Sequence, residues 1–151
     1  MNRPSASACT VRSARKQREL PSDDKMGHAY AKITLRNPRK PDLKPVHVTA
    51  LADTGAFLLC IPQHIALQLE LDTADHREVT LADGRTEKFP YVGPIELSFE
   101  KRRCFVGAMV MGDETLLGAV PMEDMDLVVA PLRGTVAVNP DSPNLAHLKA
   151  K

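Results

Sequence analysis

Twelve prolines are spread through the 151 residues of this chain. Proline removes a backbone donor and fixes φ, so the count points to many breaks and short elements rather than long helices. The stretches between the breaks are still apolar enough to bury. Hydrophobic residues make up 43% of the chain, which excludes global disorder, and 151 residues suit one compact domain. A formal net charge of +1 excludes a polyelectrolyte that binds nucleic acid by bulk charge. No apolar run approaches the ~18 residues of a membrane span. No membrane or nucleic-acid partner is expected.

The apolar stretches read mostly as strands. Tyr30–Leu35 alternates apolar and polar residues, as a half-buried strand does, and Val46–Ala52 follows as a second strand. Phe57–Ile61 is a continuous apolar run, consistent with a strand buried on both faces. Pro62 then opens a short helix to about Leu69. Val79–Phe89 reads as a hairpin in which Asp83-Gly84 supplies the positive φ angles of a tight turn. Val92-Gly93-Pro94 breaks the chain. Ile95–Phe99, Cys104–Val110, Leu116–Gly118, Leu127–Ala130 and Thr135–Val138 complete the strands, and Pro121 to about Asp126 forms one or two helical turns. Asn139–Pro143 ends the ordered part. The sum is a small barrel-like all-β domain with one or two short helices.

Residues 1–25 differ in kind. They hold six bases and three acids with few large apolar residues. A disordered basic extension is expected there, ahead of a domain over 26–143 and a short tail over 144–151. The N-terminus has basic residues but no apolar stretch after them, so no secretory signal is read. Cys9, Cys60 and Cys104 are an odd number at unrelated spacings, which supports neither a zinc site nor a disulfide framework. Cys60 and Cys104 sit in apolar runs and are expected to be buried in a reducing cytoplasm. The five histidines have no metal-ligand spacing.

Asp53-Thr54-Gly55 carries the chemistry. Asp is disfavoured in strands, so an Asp between two apolar strands needs a reason. A plain turn is the simplest one, since Asp and Gly both favour turns. The wider context offers another. Ala50-Leu-Ala-Asp-Thr-Gly-Ala56 resembles the active-site loop of retropepsin-like aspartic proteases. Leu116-Leu117-Gly118 before a short helix resembles the second hallmark of that fold. The Gly-tipped hairpin lies between them, where that family places its flap. Leu127–Pro140 is similar to the closing segment of the bacterial retroviral-like aspartyl proteases of clan AA. The resemblance covers about residues 27–143.

The resemblance implies an acid-protease (retropepsin) fold with one lobe per chain and an aspartic endopeptidase activity without metal or other cofactor. Two carboxylates must share one proton in such a site. The chain has one Asp-Thr-Gly, so the second Asp must come from another copy, and Asp53 would meet its own equivalent across a two-fold axis. Thr54 is expected to bond across that dimer, Gly55 to let its backbone approach the carboxylates, and Ala56 to sit beside the site. Asp83 and Gly84 would close over an extended peptide substrate. Leu117 and Gly118 would support the active loop. A charged tip, Ala-Asp-Gly-Arg, departs from the Gly-rich flaps of the retroviral enzymes. The polar stretch Leu71–Glu78 is longer than a minimal retropepsin needs. The competing reading is a non-catalytic peptide-binding or dimerisation module on the same fold.

Overall fold

The computed structural model describes residues 28–130 and 132–150. The expected basic extension over 1–25 lies outside them. Strand accounts for 49% of the described residues and helix for 10%, so the domain is all-β as the alternating runs imply. The described residues form nine strands: β1 Ala29–Arg36, β2 Val46–Ala52, β3 Leu59–Ile61, β4 Asp72–Thr80, β5 Thr86–Phe99, β6 Arg102–Val110, β7 Leu116–Leu117, β8 Leu127–Ala130 and β9 Thr135–Val138. Two six-residue helices, α1 Gln63–Gln68 and α2 Ala119–Asp124, follow β3 and β7. Among the described residues no helix is long and apolar enough to cross a membrane.

Six strands close into a barrel in the order β1, β2, β7, β3, β6, β5 and back to β1. β5 takes the edge of β1 at Thr34–Arg36, and β9 takes the same edge further along, at Tyr30. Among the described residues β8 pairs only with β9 and forms one end of the sheet, and β4 pairs only with β5 and forms the other. The interior is filled by alternate residues. In β1 these are Ala29, Ala31, Ile33 and Leu35, all buried, with the residues between them mostly exposed. Leu59, Ile61, Ile95, Leu97, Leu117 and Met125 fill the rest. Both β3 and the short β7 lie between two other strands, and the three consecutive apolar residues Leu59-Cys60-Ile61 are all buried, so both faces of β3 are covered.

Three sequence expectations need correction, and one unassigned polar stretch gains a structure. The Phe57–Ile61 run is strand only from Leu59, and Phe57 is 72% exposed. Its backbone is bonded to α2 instead of to a sheet neighbour, as described below. Val92-Gly93-Pro94 does not break the chain. β5 runs through it, and Gly93 and Pro94 together oppose one residue of β6 where the register shifts between Val92 and Ile95. A bulge absorbs the extra residue and accepts proline. The polar stretch after Leu71 is strand β4, exposed along nearly its whole length. Its backbone groups pair with β5, so no apolar face is required. Finally, Pro143 does not end the ordered part. The His147 amide still donates to Asp126 Oδ2 at 2.9 Å.

Candidate active site

β2 delivers Asp53 to the end of the barrel. The strand is held there by β7, with Leu51 beside Leu116 and Ala52 beside Leu117. The ladder continues past the strand, since the Asp53 amide donates to the Leu117 carbonyl at 3.0 Å. The chain then turns, and the Ala56 amide donates to the Asp53 carbonyl at 3.0 Å. Inside that turn the Gly55 amide donates to Asp53 Oδ1 at 2.9 Å. The carboxylate is thereby oriented by its own loop, an arrangement typical of Asp in turns. Asp53 is half-exposed, and Thr54 and Gly55 are exposed. A carboxylate in this setting is both fixed and accessible.

The second motif grips the same loop. At the start of α2, the Ala119 amide donates to the Ala56 carbonyl at 2.9 Å and the Val120 amide to the Phe57 carbonyl at 3.0 Å. These are first-turn amides, which have no partner within their own helix. Gly118 makes the approach possible. A Cβ there would collide with the Leu58 carbonyl and lie 2.8 Å from the Ala56 carbonyl oxygen. Its φ of −82° is open to any residue, so glycine is needed for space and not for conformation. Leu117 is fully buried beneath. Asp53, Thr54, Gly55 and Ala56 are therefore brought together with Leu117 and Gly118, two segments separated by some sixty positions.

Cys60 lies close enough to feel this site. Burial pushes its thiol pKa up, and the Asp53 charge raises it further. The protonated thiol is unsuited to act as a nucleophile beside the carboxylate. Burial also pushes Cys104 up to about 12, with Asp124 adding to the effect. Both cysteines are free and buried.

The hairpin is built differently from the sequence expectation. Of its two central residues only Gly84 has a positive φ, at 89°. Asp83 acts as an acceptor instead. Its Oδ1 takes the Arg85 amide at 3.0 Å and its Oδ2 takes Arg85 Nε at 2.6 Å. Those two bonds hold its carboxyl below the usual range. Leu81 and Arg85 close the tip, with the Leu81 amide on the Arg85 carbonyl at 2.7 Å. Arg85 also donates to Glu87. Asp83 and Gly84 thus share a hairpin tip, and the hydrogen bonds of Asp83 stay within that tip rather than reaching the Asp53 loop. A groove of about 460 Å³ lies elsewhere, between Asp72, Tyr91, Pro94, Phe105 and Gly107.

Among the described residues no three His, Cys, Asp or Glu side chains converge as a metal site would require. Sequence reasoning missed the carbonyls of Ala56 and Phe57 as anchors for α2. No side-chain signal marks a main-chain acceptor; the only pointer is Gly118, whose missing Cβ admits them. Comparison with protein-family models and with curated proteins returns no match.

Proposed function

We propose that this chain is an aspartic endopeptidase that works as a homodimer. The observation that carries the reading is the lock between the two motifs: a half-exposed Asp53, oriented by the Gly55 amide, on a loop fixed by the amides of Ala119 and Val120. A catalytic carboxylate needs such support, because small misplacements cost much of the rate.

One Asp-Thr-Gly supplies half of a dyad, so Asp53 of a second copy supplies the other half. Of the two carboxyl groups, the ionised one takes a proton from water as its oxygen attacks the peptide carbonyl carbon. The protonated one donates to the carbonyl oxygen. When the C–N bond breaks, a carboxyl returns a proton to the departing amine. As the carbonyl re-forms, a diol hydroxyl gives its proton to the other carboxylate, so the dyad is regenerated and the water is consumed in the new carboxyl group. Thr54, exposed at the turn, faces the partner's loop in this reading, and the Asp83–Arg85 tip closes on an extended peptide. β8 suits the seam. It is apolar, half-exposed, and paired on one side only among the described residues, whereas β9 is already bonded on both. The two free buried cysteines fit a reducing cytoplasm.

Cleavage of a diverse peptide library between about pH 4 and 7, where a dyad holds one proton, tests the reading. Wild type should cut and Asp53→Asn should not, with both dimeric by sedimentation. No cleavage by a confirmed dimer would instead favour a peptide-binding module, and full activity in a demonstrated monomer would remove the shared dyad.

A further inference from the structure

Arg102 opens β6 and is only 6% exposed, an uncommon place for a guanidinium. Its donors go to main-chain carbonyls. Nη1 donates to Met125 at 2.8 Å and to Asp126 at 3.5 Å, and Nη2 donates to Ser142. Met125 is the residue that ends α2, and it is fully buried. Asp126 follows with a φ of 55°, and its carboxylate meets the C-terminal segment. That carboxylate accepts from Asn139 Nδ2 at 3.1 Å, Ser142 Oγ at 2.7 Å and the His147 amide at 2.9 Å. The Asn139 amide also donates to the Asp126 carbonyl at 3.1 Å. Residues 139–147 therefore form a strap tied to the far end of α2.

The near end of α2 holds the Asp53 loop through Ala119 and Val120. Six helical residues span roughly 9 Å, and a helix so short has little stability of its own. Its position is set by the burial of Pro121 and Met122 against the barrel and by what grips its two ends. One grip is the candidate active loop. The other is Arg102, Asp126 and the strap.

We propose that Arg102 and Asp126 are positioning residues for Asp53, acting through α2, and that the strap 139–147 belongs to the working unit; the inference rests on the endopeptidase reading for its kinetic consequence. The path is a continuous run of hydrogen bonds and packed backbone, which is a physical route for coupling. Releasing the strap frees the end of α2 and lets the Asp53 loop drift. A displacement on the order of 1 Å in a reacting group lowers turnover by about 100-fold while leaving binding of a long substrate largely intact.

The test uses the full chain with Arg102→Lys, which keeps the charge and loses the fork, Asp126→Asn, and a chain ending at Val138. In folded variants kcat should fall about 10- to 100-fold with KM within about threefold. Amide exchange at Ala119 and Val120 should quicken at least about tenfold, while Ile33 and Val48 in the β1–β2 hairpin stay unchanged. Unchanged exchange at Ala119 and Val120 in a variant whose Ser142 and His147 amides are released would overturn the proposal. So would a loss carried by KM alone. If wild type cuts no peptide, the endopeptidase reading fails by itself, and the exchange at Ala119 and Val120 still decides the link. If the shortened chain does not fold, the two point variants decide it.

Discussion

Replacing Gly118 by alanine puts the central contact of the candidate site under direct strain. The added methyl would collide with the Leu58 carbonyl and lie 2.8 Å from both the Ala56 carbonyl oxygen and the Phe57 carbonyl carbon. All three are backbone atoms, so no rotamer change relieves the clash. Relief requires α2 to move away from the loop, which stretches the Ala119–Ala56 and Val120–Phe57 hydrogen bonds. Overpacking of this kind costs about 1–3 kcal/mol, and each weakened bond adds about 1 kcal/mol. A total of about 3–5 kcal/mol corresponds to a melting point lower by roughly 10–15 °C in a domain of this size. Such a loss is smaller than the stability of most domains, at roughly 5–15 kcal/mol, so the variant should fold. Two comparisons isolate the cause. At Gly55 a methyl would meet only Asp53 Oδ1, at 3.1 Å, and that side chain can turn. Gly55→Ala should therefore cost less than about 1 kcal/mol and yet disturb the carboxylate. At Gly84 nothing lies within 4 Å, but φ is 89°, so Gly84→Ala should cost about 1 kcal/mol of backbone strain. Thermal melts followed by far-ultraviolet circular dichroism would rank the three. A Gly118→Ala protein melting within about 2 °C of wild type would refute the steric reasoning.

Acid should test the Asp126 clasp. Hydrogen bonds from Ser142, the His147 amide and Asn139 hold its carboxyl down at about 2, against an ordinary value of 3.8. A depressed folded pKa gives stability that is present above about 3.8 and lost as pH falls through about 2. Wild type should thus keep its strap throughout pH 4–7, and Asp126→Asn should lose less stability than wild type between pH 4 and 2 in urea titrations; equal losses would argue against the clasp. Leu117→Ala empties a fully buried site under the active loop, and chemical denaturation should show a cost of about 2–5 kcal/mol. Iodoacetamide at pH 8, with the label located by mass spectrometry, should modify Cys60 and Cys104 slowly in the native protein and quickly in urea, because burial raises both thiols. Rapid native labelling at Cys104 would contradict its burial.

The parts of the fold that were legible in the sequence are those in which one face meets the core. The apolar pattern places β2 at Val46–Ala52, β8 at Leu127–Ala130 and β9 at Thr135–Val138, each with the bounds observed. β4 was not legible, because an exposed strand paired only with β5 has no reason to alternate. The bulge at Gly93-Pro94 looks like a break in sequence, because two residues that end most strands can also be accommodated by a local shift of register. At the candidate site, Asp53 and Gly118 stood out by residue type. Their connection did not, since it runs through the carbonyls of Ala56 and Phe57, which every residue possesses. Arg102 and Asp126 were hidden for a related reason. Burial of a guanidinium among main-chain carbonyls depends on chain paths that meet only after folding.

The β4–β5 hairpin has a consequence for how such a chain can change over generations. From Asp75 to Tyr91 none of its residues is fully buried, and β4 leans on β5 alone. Substitutions there fall where most surface changes stay within about 0.5 kcal/mol. The barrel, by contrast, is tied to its sequence by close packing at Leu59, Leu117 and Gly118. Heritable variation is thus channelled into the hairpin. A lineage could exchange Asp83, Arg85 or Lys88 many times over, trying one partner after another, while its descendants kept the same inherited barrel.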